Sequence, residues 1–152
     1  MKKITGILMA CILVLGLSAC KAELTEDAGA CTIEQNGVNI RMSFDAEGDK
    51  IVKIKQESVL SLEGYSEEDK AMIQESIDQA AAEYKDIEGV TYTTEENGDE
   101  IVEKIEMNVG DKETLQAVVS AGLLPVDDED VTELSLEKTL EGLGSSGWTV
   151  EE

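Results

Sequence analysis

Residues 36–45 read NGVNIRMSFD, a turn signal followed by a segment of strict alternation. Its alternate positions are apolar: Val38, Ile40, Met42 and Phe44. A period of two is typical of a strand with one buried face, and Asn-Gly favours a two-residue hairpin turn because both residues tolerate positive φ. The stretch therefore predicts an antiparallel sheet, in which Cys31 and Ile33 lie on the preceding strand.

The segments that follow extend this sheet and add a helix. A second turn at residues 46–49 leads to a third strand, Ile51–Leu60, which completes a meander. Ser66–Lys85 predicts a helix, because Ser66 is a suitable N-cap and Asp69 stands at the capping-box position. Its apolar positions follow helical spacing and form one stripe: Ile73, Ile77, Ala80 and Tyr84.

A second hairpin is predicted after the helix. Val90, Tyr92 and Thr94 alternate, Asn97-Gly98 forms the turn, and the chain returns from residue 101 to residue 109. If Asn97 and Gly98 are the two turn residues, Val90 lies opposite Ile105 and Tyr92 lies opposite Glu103. Glu103 is then a carboxylate on an apolar face, which either reaches solvent at an edge or accepts a hydrogen bond from the Tyr92 hydroxyl.

The C-terminal third predicts two short helices and a last strand. Asp111 caps a helix that ends near Ala121, and Ser135 or Thr132 caps a helix carrying Leu136, Leu140 and Leu143. Trp148–Val150 is the terminal strand. The predicted fold class is α+β: an antiparallel sheet of five to six strands, with the main helix packed on one face, in a single domain over residues 31–152.

The N-terminus has the pattern of an export signal. Lys2 and Lys3 precede an apolar run, Ile7–Leu17, which is too short to cross a membrane as a helix. Leu17-Ser18-Ala19-Cys20 resembles the bacterial lipobox, and this resemblance implies that residues 1–19 are removed and that Cys20 carries a diacylglyceryl group. Residues 20–30 are then a lipidated tether, and the protein is extracytoplasmic and lipid-anchored to a bacterial membrane. The alternative is a plain secretory signal that contains a cysteine.

Composition excludes several classes of function. The chain has 152 residues, a net charge of −22 and no histidine. Such acidity argues against nucleic-acid binding, which depends on Lys and Arg contacts to phosphates. The lack of histidine removes the usual general base and a common metal ligand. Cys31 is the one cysteine of the mature domain that is not the lipidation site, so it predicts a small buried side chain and no disulfide within the domain.

Three chemical patterns in the sequence are candidate sites. Gly142–Gly147 matches G-x-G-x-x-G but follows a helix, so a helix C-cap is favoured over a nucleotide site. Paired carboxylates are too common in this chain to indicate a glycosidase. Two acidic segments offer oxygen ligands for calcium, but neither fits an EF-hand loop and solvated acidic turns are favoured for both: Asp127, Asp128, Glu129 and Asp130; and Asp45, Glu47 and Asp49. No catalytic residue, cofactor or metal site is predicted.

The order of segments resembles the YehR-like family of small bacterial lipoproteins. The resemblance rests on the lipobox, the strand from Val38, Asp49-Lys50-Ile51, the helix end Glu83-Tyr84-Lys85, residues 87–91 (IEGVT) and the Gly147-Trp148 strand. It implies an α+β domain with an antiparallel sheet, and it carries over no established activity. The chain is more acidic than expected for this family.

These observations favour a non-enzymatic, lipid-anchored envelope protein that binds a partner protein or a small ligand. A groove between sheet and helix, lined by Tyr84, Tyr92 and Trp148, is the first place to expect the ligand. A calcium-binding or purely structural envelope protein is the alternative. An envelope hydrolase is a further one, for which no cluster of convergent acids is evident.

Overall fold

A computed structural model describes residues 22–124, 126 and 130–151. The elements follow in the order β1 (Leu24–Gln35), β2 (Val38–Glu47), β3 (Lys50–Ser61), α1 (Glu67–Tyr84), β4 (Val90–Asn97), β5 (Glu100–Asn108), α2 (Lys112–Ser120), β6 (Leu134–Ser135), α3 (Leu136–Ser145) and β7 (Thr149–Glu151). The signal segment and Cys20 lie outside the described residues.

The strands form one antiparallel sheet in the order β4-β5-β3-β2-β1-β7, and β6 pairs with the start of β3. The α+β class, the meander, the second hairpin and the terminal strand are confirmed. The described sheet has seven strands where five to six were predicted. The additional strand is β6, whose two residues are too few to show a period in the sequence.

One face of the sheet supplies the core. Alternate residues of β1, β2, β3 and β5 point to it, and α2 and α3 contribute the side chains that pack against them. The largest fully buried side chains include Phe44, Ile51, Met107, Leu115 and Leu143. Cys31 is buried on this face, as the sequence predicted. We call this side of the sheet the helix-covered face.

The opposite side, which we call the open face, is polar. Ion pairs cross it between strands: Arg41 with Glu151, Lys53 with Glu106, Lys55 with Asp27 and Asp45, and Lys104 with Glu57 and Glu95. Most of these side chains are solvent-exposed, and exposed pairs of this kind each contribute less than about 1 kcal/mol. The alternation of apolar and charged residues along β2 and β3 therefore separates a core face from a solvated one.

The first strand begins earlier than expected. The prediction of a tether over residues 20–30 is wrong for Leu24–Ala30, which lie in β1. Leu24 and Thr25 pair with Glu47 and Ala46, and the register shifts before Gly29. The extra residues of this bulge, which include Asp27 at φ 48°, interrupt the alternation. The segment consequently looks like a polar linker in the sequence.

The two hairpins differ in how well their turns were predicted. Asn36-Gly37 is the turn of the first hairpin, with positive φ at both residues. In the second hairpin Asn97 still pairs with Glu100, so the turn is Gly98-Asp99 and the predicted register is wrong. Gly98 has a positive φ of 68° and is followed by a residue without one, which is the type II′ pattern with glycine first.

The helices begin at the predicted caps. Ser66 and Asp69 form a complete capping box at the start of α1, and Asp111 and Ser135 cap α2 and α3. The helices differ in how deeply they pack. In α1 only Ile77 is buried, although the helix has 18 residues, whereas the shorter α2 and α3 each bury two. Helix α1 therefore packs on the sheet with few buried side chains.

Candidate binding site beneath the first helix

A patch of polar side chains interrupts the helix-covered face near its centre. Gln56 and Ser58 of β3 are 8% and 7% exposed. Ser58 lies directly opposite Glu103 of β5, and Gln56 lies opposite Ile105. Because side chains two apart on a strand share a face, the alternation that buries Ile54 also brings Gln56 and Ser58 to this face. We call Gln56, Ser58, Glu103 and Tyr92 the polar patch.

The Gln56 amide is not fully satisfied. Its Nε2 donates to Ser58 Oγ at 3.3 Å, and its Oε1 is buried without a hydrogen-bond partner among the described residues. Reversing the amide would leave the other end unpaired instead. An unsatisfied buried polar group costs about 1–3 kcal/mol, and such groups are uncommon in native proteins. Gln56 therefore presents an unused hydrogen-bonding group inside the fold.

Tyr92 and Glu103 form the other half of the polar patch. The Tyr92 hydroxyl donates a hydrogen bond to Glu103 Oε1, which is the pairing that the sequence predicted as one alternative. The two residues are diagonal neighbours, because Tyr92 lies opposite Ile105 and Glu103 opposite Thr94. Burial, together with the hydrogen bond and charge of Glu103, raises the pKa of Tyr92 well above its usual value.

Helix α1 closes the patch through its last turn. The ring of Tyr84 lies against that of Tyr92, with centroids 5.2 Å apart and planes inclined at 33°. This tilted arrangement is favourable for aromatic pairs. Burial first, and then the charges of Glu103 and Glu83, raise the pKa of Tyr84. Both tyrosines are therefore neutral at physiological pH and offer aromatic surface beside a carboxylate.

The chemistry of the polar patch suits binding more than catalysis. Ser58 is hydrogen-bonded to an amide, which cannot take up its proton as a general base would. Glu103 accepts a hydrogen bond from Tyr92, and no histidine exists in the chain. The arrangement can hold a polar group by hydrogen bonds and stack it beside aromatic rings. It lacks a nucleophile paired with a base.

The predicted groove is only partly correct. Tyr84 and Tyr92 are in contact, as a groove between helix and sheet requires. Trp148 is buried next to β7, at the opposite edge of the sheet from β4. Since neighbouring strands lie about 4.8 Å apart, the four intervening strands keep Trp148 out of this groove. Trp148 instead belongs to the core beside Leu143.

The two acidic segments that offer oxygen ligands for calcium differ in what the structure shows of them. Asp127, Asp128 and Glu129 lie outside the described residues. Asp45 bonds Lys55 and the Asp27 amide, and Asp49 bonds Ser135 Oγ at 2.6 Å and the Glu137 amide at 2.9 Å. Within the described ranges, no group of three acidic or cysteine side chains is arranged to hold a metal ion. Asp45 and Asp49 are engaged in holding strands and a helix end.

The glycine-rich segment ends a helix, as the sequence favoured. Residues 142–145 are the last turn of α3, and the Ser146 amide donates to the Gly142 and Leu143 carbonyls. Gly147 then adopts a φ of 94° and redirects the chain toward β7. Helix C-caps need this left-handed conformation, which glycine adopts without strain.

A depression of about 450 Å³ lies on the open face. It is lined mainly by polar side chains of β1, β2 and β3: Thr32, Glu34, Asn39, Arg41 and Glu57. Arg41 donates to both carboxylate oxygens of Glu151, at 3.3 and 3.0 Å. Its charge is therefore matched within the protein, and the depression holds no buried polar atom comparable with Gln56.

Two features of the structure were not expected from sequence: the buried polar residues of β3 in the site, and the bulge in β1 on the open face. Gln56 and Ser58 continue the alternation of β3 on the buried side, but they are polar, and an apolar residue is the signal that marks a buried position. The bulge that brings Asp27 to Lys55 has no periodic signature at all. A polar residue in the buried phase of a strand is the one signal that could have identified Gln56.

The protein is a small α+β domain whose antiparallel sheet is covered by helices on one face, and that face carries the polar patch. The chain belongs to the family described as Protein of unknown function (DUF1307), which matches residues 30–149. This agrees with the resemblance seen in the sequence.

Curated relatives are lipoproteins without an assigned activity. The chain is 24% identical over 108 residues to the uncharacterized lipoprotein Lin0239 of Listeria innocua, covering 71% of this chain and 69% of that protein. It is 25% identical, with the same coverage, to the uncharacterized lipoprotein Lmo0207 of Listeria monocytogenes. These names agree with a lipoprotein and point to no enzymatic activity.

Solved structures of similar fold come from two bacteria. The Escherichia coli YehR protein matches with a TM-score of 0.62 and 18% identity, covering 83% of this chain and 91% of that one. A protein from Streptococcus pneumoniae matches with a TM-score of 0.57 and 12% identity, covering 99% and 98%. At these identities the likeness establishes the fold alone. Among the residues described here, no helix is long and apolar enough to span a membrane.

Proposed function

We propose that the protein is an extracytoplasmic lipoprotein, attached to a bacterial membrane through a diacylglyceryl group on Cys20. The lipobox-like residues 17–20 support this attachment, and so do the names of the two Listeria relatives. Two acyl chains anchor stably where a single chain binds reversibly. Whether a third chain is added to the Cys20 amine does not affect this proposal.

The domain, in this proposal, is a non-enzymatic module that binds a small polar ligand between α1 and the sheet. One observation carries this: Gln56 Oε1 is buried without a hydrogen-bond partner among residues 22–124, 126 and 130–151, at a free-energy cost that an apolar residue would avoid. Glu103 lies opposite the neighbouring Ser58 and accepts a hydrogen bond from Tyr92, whose ring contacts that of Tyr84, so a carboxylate and aromatic surface lie on the same face as Gln56. The light packing of α1 gives a ligand a route to the polar patch.

The attachment is tested by labelling cells with radioactive palmitate and separating membranes from soluble protein. The native protein is expected to carry label and to remain in the membrane fraction after a salt wash. Cys20→Ala should lose both properties. Cys31→Ala is the matched control, because it removes a buried cysteine outside the lipobox-like segment and should keep both. Membrane retention of unlabelled Cys20→Ala would contradict the attachment.

The binding site is tested with Gln56→Met, which keeps the length of the side chain and removes its polar end. We expect this variant to be more stable than the native protein by about 1–2 kcal/mol in urea, because the unsatisfied group is gone. A thermal-shift screen of small polar metabolites should then find compounds that stabilise the native protein and not the variant. Equal or lower stability of Gln56→Met, with no compound that distinguishes the two, would contradict the proposal.

A further inference from the structure

The first described residues of the chain lie at one end of the sheet and contact it directly. Ala22 lies against the β2–β3 turn, since a Cβ built on Gly48 would stand 3.1 Å from the Ala22 Cβ. Leu24 and Thr25 then pair with Glu47 and Ala46. The N-terminal segment is thus fixed beside the turn from its first described residues onward.

The reach from this point to the lipid is short. Consecutive Cα atoms are 3.80 Å apart, so two peptide units put the Cys20 Cα within about 7.6 Å of the Ala22 Cα. A flexible tether of eleven residues, as the sequence predicted for 20–30, would have let the domain take any orientation. Because β1 begins at Leu24, only residues 20–23 separate the proposed lipid from the sheet.

The segment is fastened by the bulge in β1. Lys55 Nζ lies 2.7 Å from Asp45 Oδ1 and 2.8 Å from Asp27 Oδ1, and the Asp27 amide donates to Asp45 Oδ1 at 2.9 Å. These contacts tie β1 to β2 and β3. Peeling residues 24–28 from the sheet would therefore break an ion-pair cluster as well as strand pairing.

Hydrogen bonds also connect this end of the domain to helix α3. Asp49, in the β2–β3 turn, accepts hydrogen bonds from Ser135 Oγ and the Glu137 amide, which attaches the start of α3 to the turn. The backbone amide of Leu136 also donates to the Asp49 carbonyl at 2.7 Å. The turn, the first residues of β1 and the start of α3 thus form one connected surface, which we call the anchor end.

We propose that the domain stands on the membrane on its anchor end, with the hairpin tips at Gly37 and Gly98 pointing away from the lipid. This rests on the proposed attachment at Cys20. At about 3.3 Å per residue, the eleven steps of β3 from Lys50 to Ser61 place the tips roughly 36 Å farther out. The strong net negative charge favours this posture, because lying flat would bring more acidic surface against anionic headgroups.

Energy transfer from a dye on the protein to acceptors on lipid headgroups measures this orientation. The lipidated protein is placed in vesicles and labelled at one introduced cysteine: Glu47→Cys at the anchor end, Glu100→Cys at the far end, or Glu57→Cys on the open face. All three positions are exposed, whereas Cys31 is fully buried and should not react. The protein without an introduced cysteine is the labelling control.

Transfer from Glu47→Cys should exceed that from Glu100→Cys by about two-fold or more, because the two positions are roughly 36 Å apart along the strands. Transfer from Glu57→Cys should fall between them. Equal transfer from Glu47→Cys and Glu57→Cys would show a domain lying on its open face, and a larger value for Glu100→Cys would show the reverse orientation. Either result overturns this proposal while leaving the attachment intact. Failure of the lipidated protein to bind vesicles would overturn both.

Discussion

Replacing Lys55 by methionine should loosen the anchor end selectively. The Lys55 side chain is 28% exposed and its ammonium bonds two carboxylates, of which the Asp45 side chain is only 10% exposed. Burial lowers the pKa of Lys55, but the hydrogen bonds to Asp27 and Asp45 outweigh this and raise it. Methionine keeps most of the apolar stem and removes the charge. Asp45 would then be a nearly buried carboxylate without its cation.

The expected loss of stability is about 2 kcal/mol. Removing one partner of a fully buried ion pair costs about 3–5 kcal/mol. The cost here is smaller because Lys55 is partly solvated and Asp45 keeps the hydrogen bond from the Asp27 amide, at 2.9 Å. The Asp27 contact adds little, since its carboxylate is largely exposed and such pairs contribute less than about 1 kcal/mol.

Lys53→Met is the matched control for this experiment. Lys53 lies two residues away on the same strand and face, and its Nζ is 3.7 Å from Glu106 Oε2, with side chains 36% and 53% exposed. Its loss should cost no more than about 0.5 kcal/mol. Urea unfolding followed by Trp148 fluorescence gives both free energies, and an unchanged m-value would show that the unfolded state is unaffected.

Hydrogen exchange locates the effect. In Lys55→Met the amides of residues 24–28 should exchange faster, while those of α2 and α3 should change only in proportion to global stability. Adding Asp45→Asn to Lys55→Met should recover part of the loss, because the unpaired charge is removed. Equal costs for Lys55→Met and Lys53→Met, with unchanged exchange at Asp27, would refute the idea that this cluster holds the N-terminal segment.

Three further predictions concern other contacts. Burial and Glu103 raise the pKa of Tyr92 in the folded state. The stabilisation that comes from the neutral Tyr92 hydroxyl is therefore complete below about pH 10, and above that pH it falls by up to about 1.4 kcal/mol per pH unit. In urea unfolding at alkaline pH, Tyr92→Phe should lose stability less steeply with pH than the native protein. Gly29→Val should cost about 1–3 kcal/mol in urea unfolding, because even a Cβ at this position would meet Leu140 Cδ1 at 2.7 Å. Asp49→Ala should cost about 1–2 kcal/mol in the same assay and speed exchange at the start of α3, since it removes the acceptor for Ser135 Oγ.

Short sequence motifs predicted the local structure correctly where one backbone geometry strongly prefers certain residue types. Ser66 and Asp69 predicted the start of α1, and the structure contains both reciprocal bonds of the capping box. Asn36-Gly37 predicted a hairpin in which both residues take positive φ. In these cases the backbone geometry demands a particular side chain, so the side chain is evidence for the geometry.

The second hairpin shows where this reasoning fails. Asn97-Gly98 is the same dipeptide, yet Asn97 remains in the ladder and Gly98 begins the turn. Glycine serves either turn position, and the two registers differ by two residues, so both keep Ile101, Ile105 and Met107 on the core face. The hydrophobic pattern therefore does not choose between them. Register is a property of the whole sheet, and two neighbouring residues do not determine it.

The light packing of α1 and the connected anchor end give the domain an uneven distribution of stability. Helices α2 and α3 bury leucine and valine side chains in the core, and Asp49 ties α3 to the β2–β3 turn. Helix α1 buries only Ile77 and contacts the polar patch through Tyr84, its last residue. In that patch, Gln56 Oε1 has no hydrogen-bond partner in the part of the chain that the structure describes. Regions with few buried contacts open at low free-energy cost. The anchor end, where we propose that the lipid attaches, is held by more contacts than the region of the polar patch. Opening at the patch would therefore leave the proposed membrane attachment undisturbed. This division supports the proposed binding module over a purely structural role.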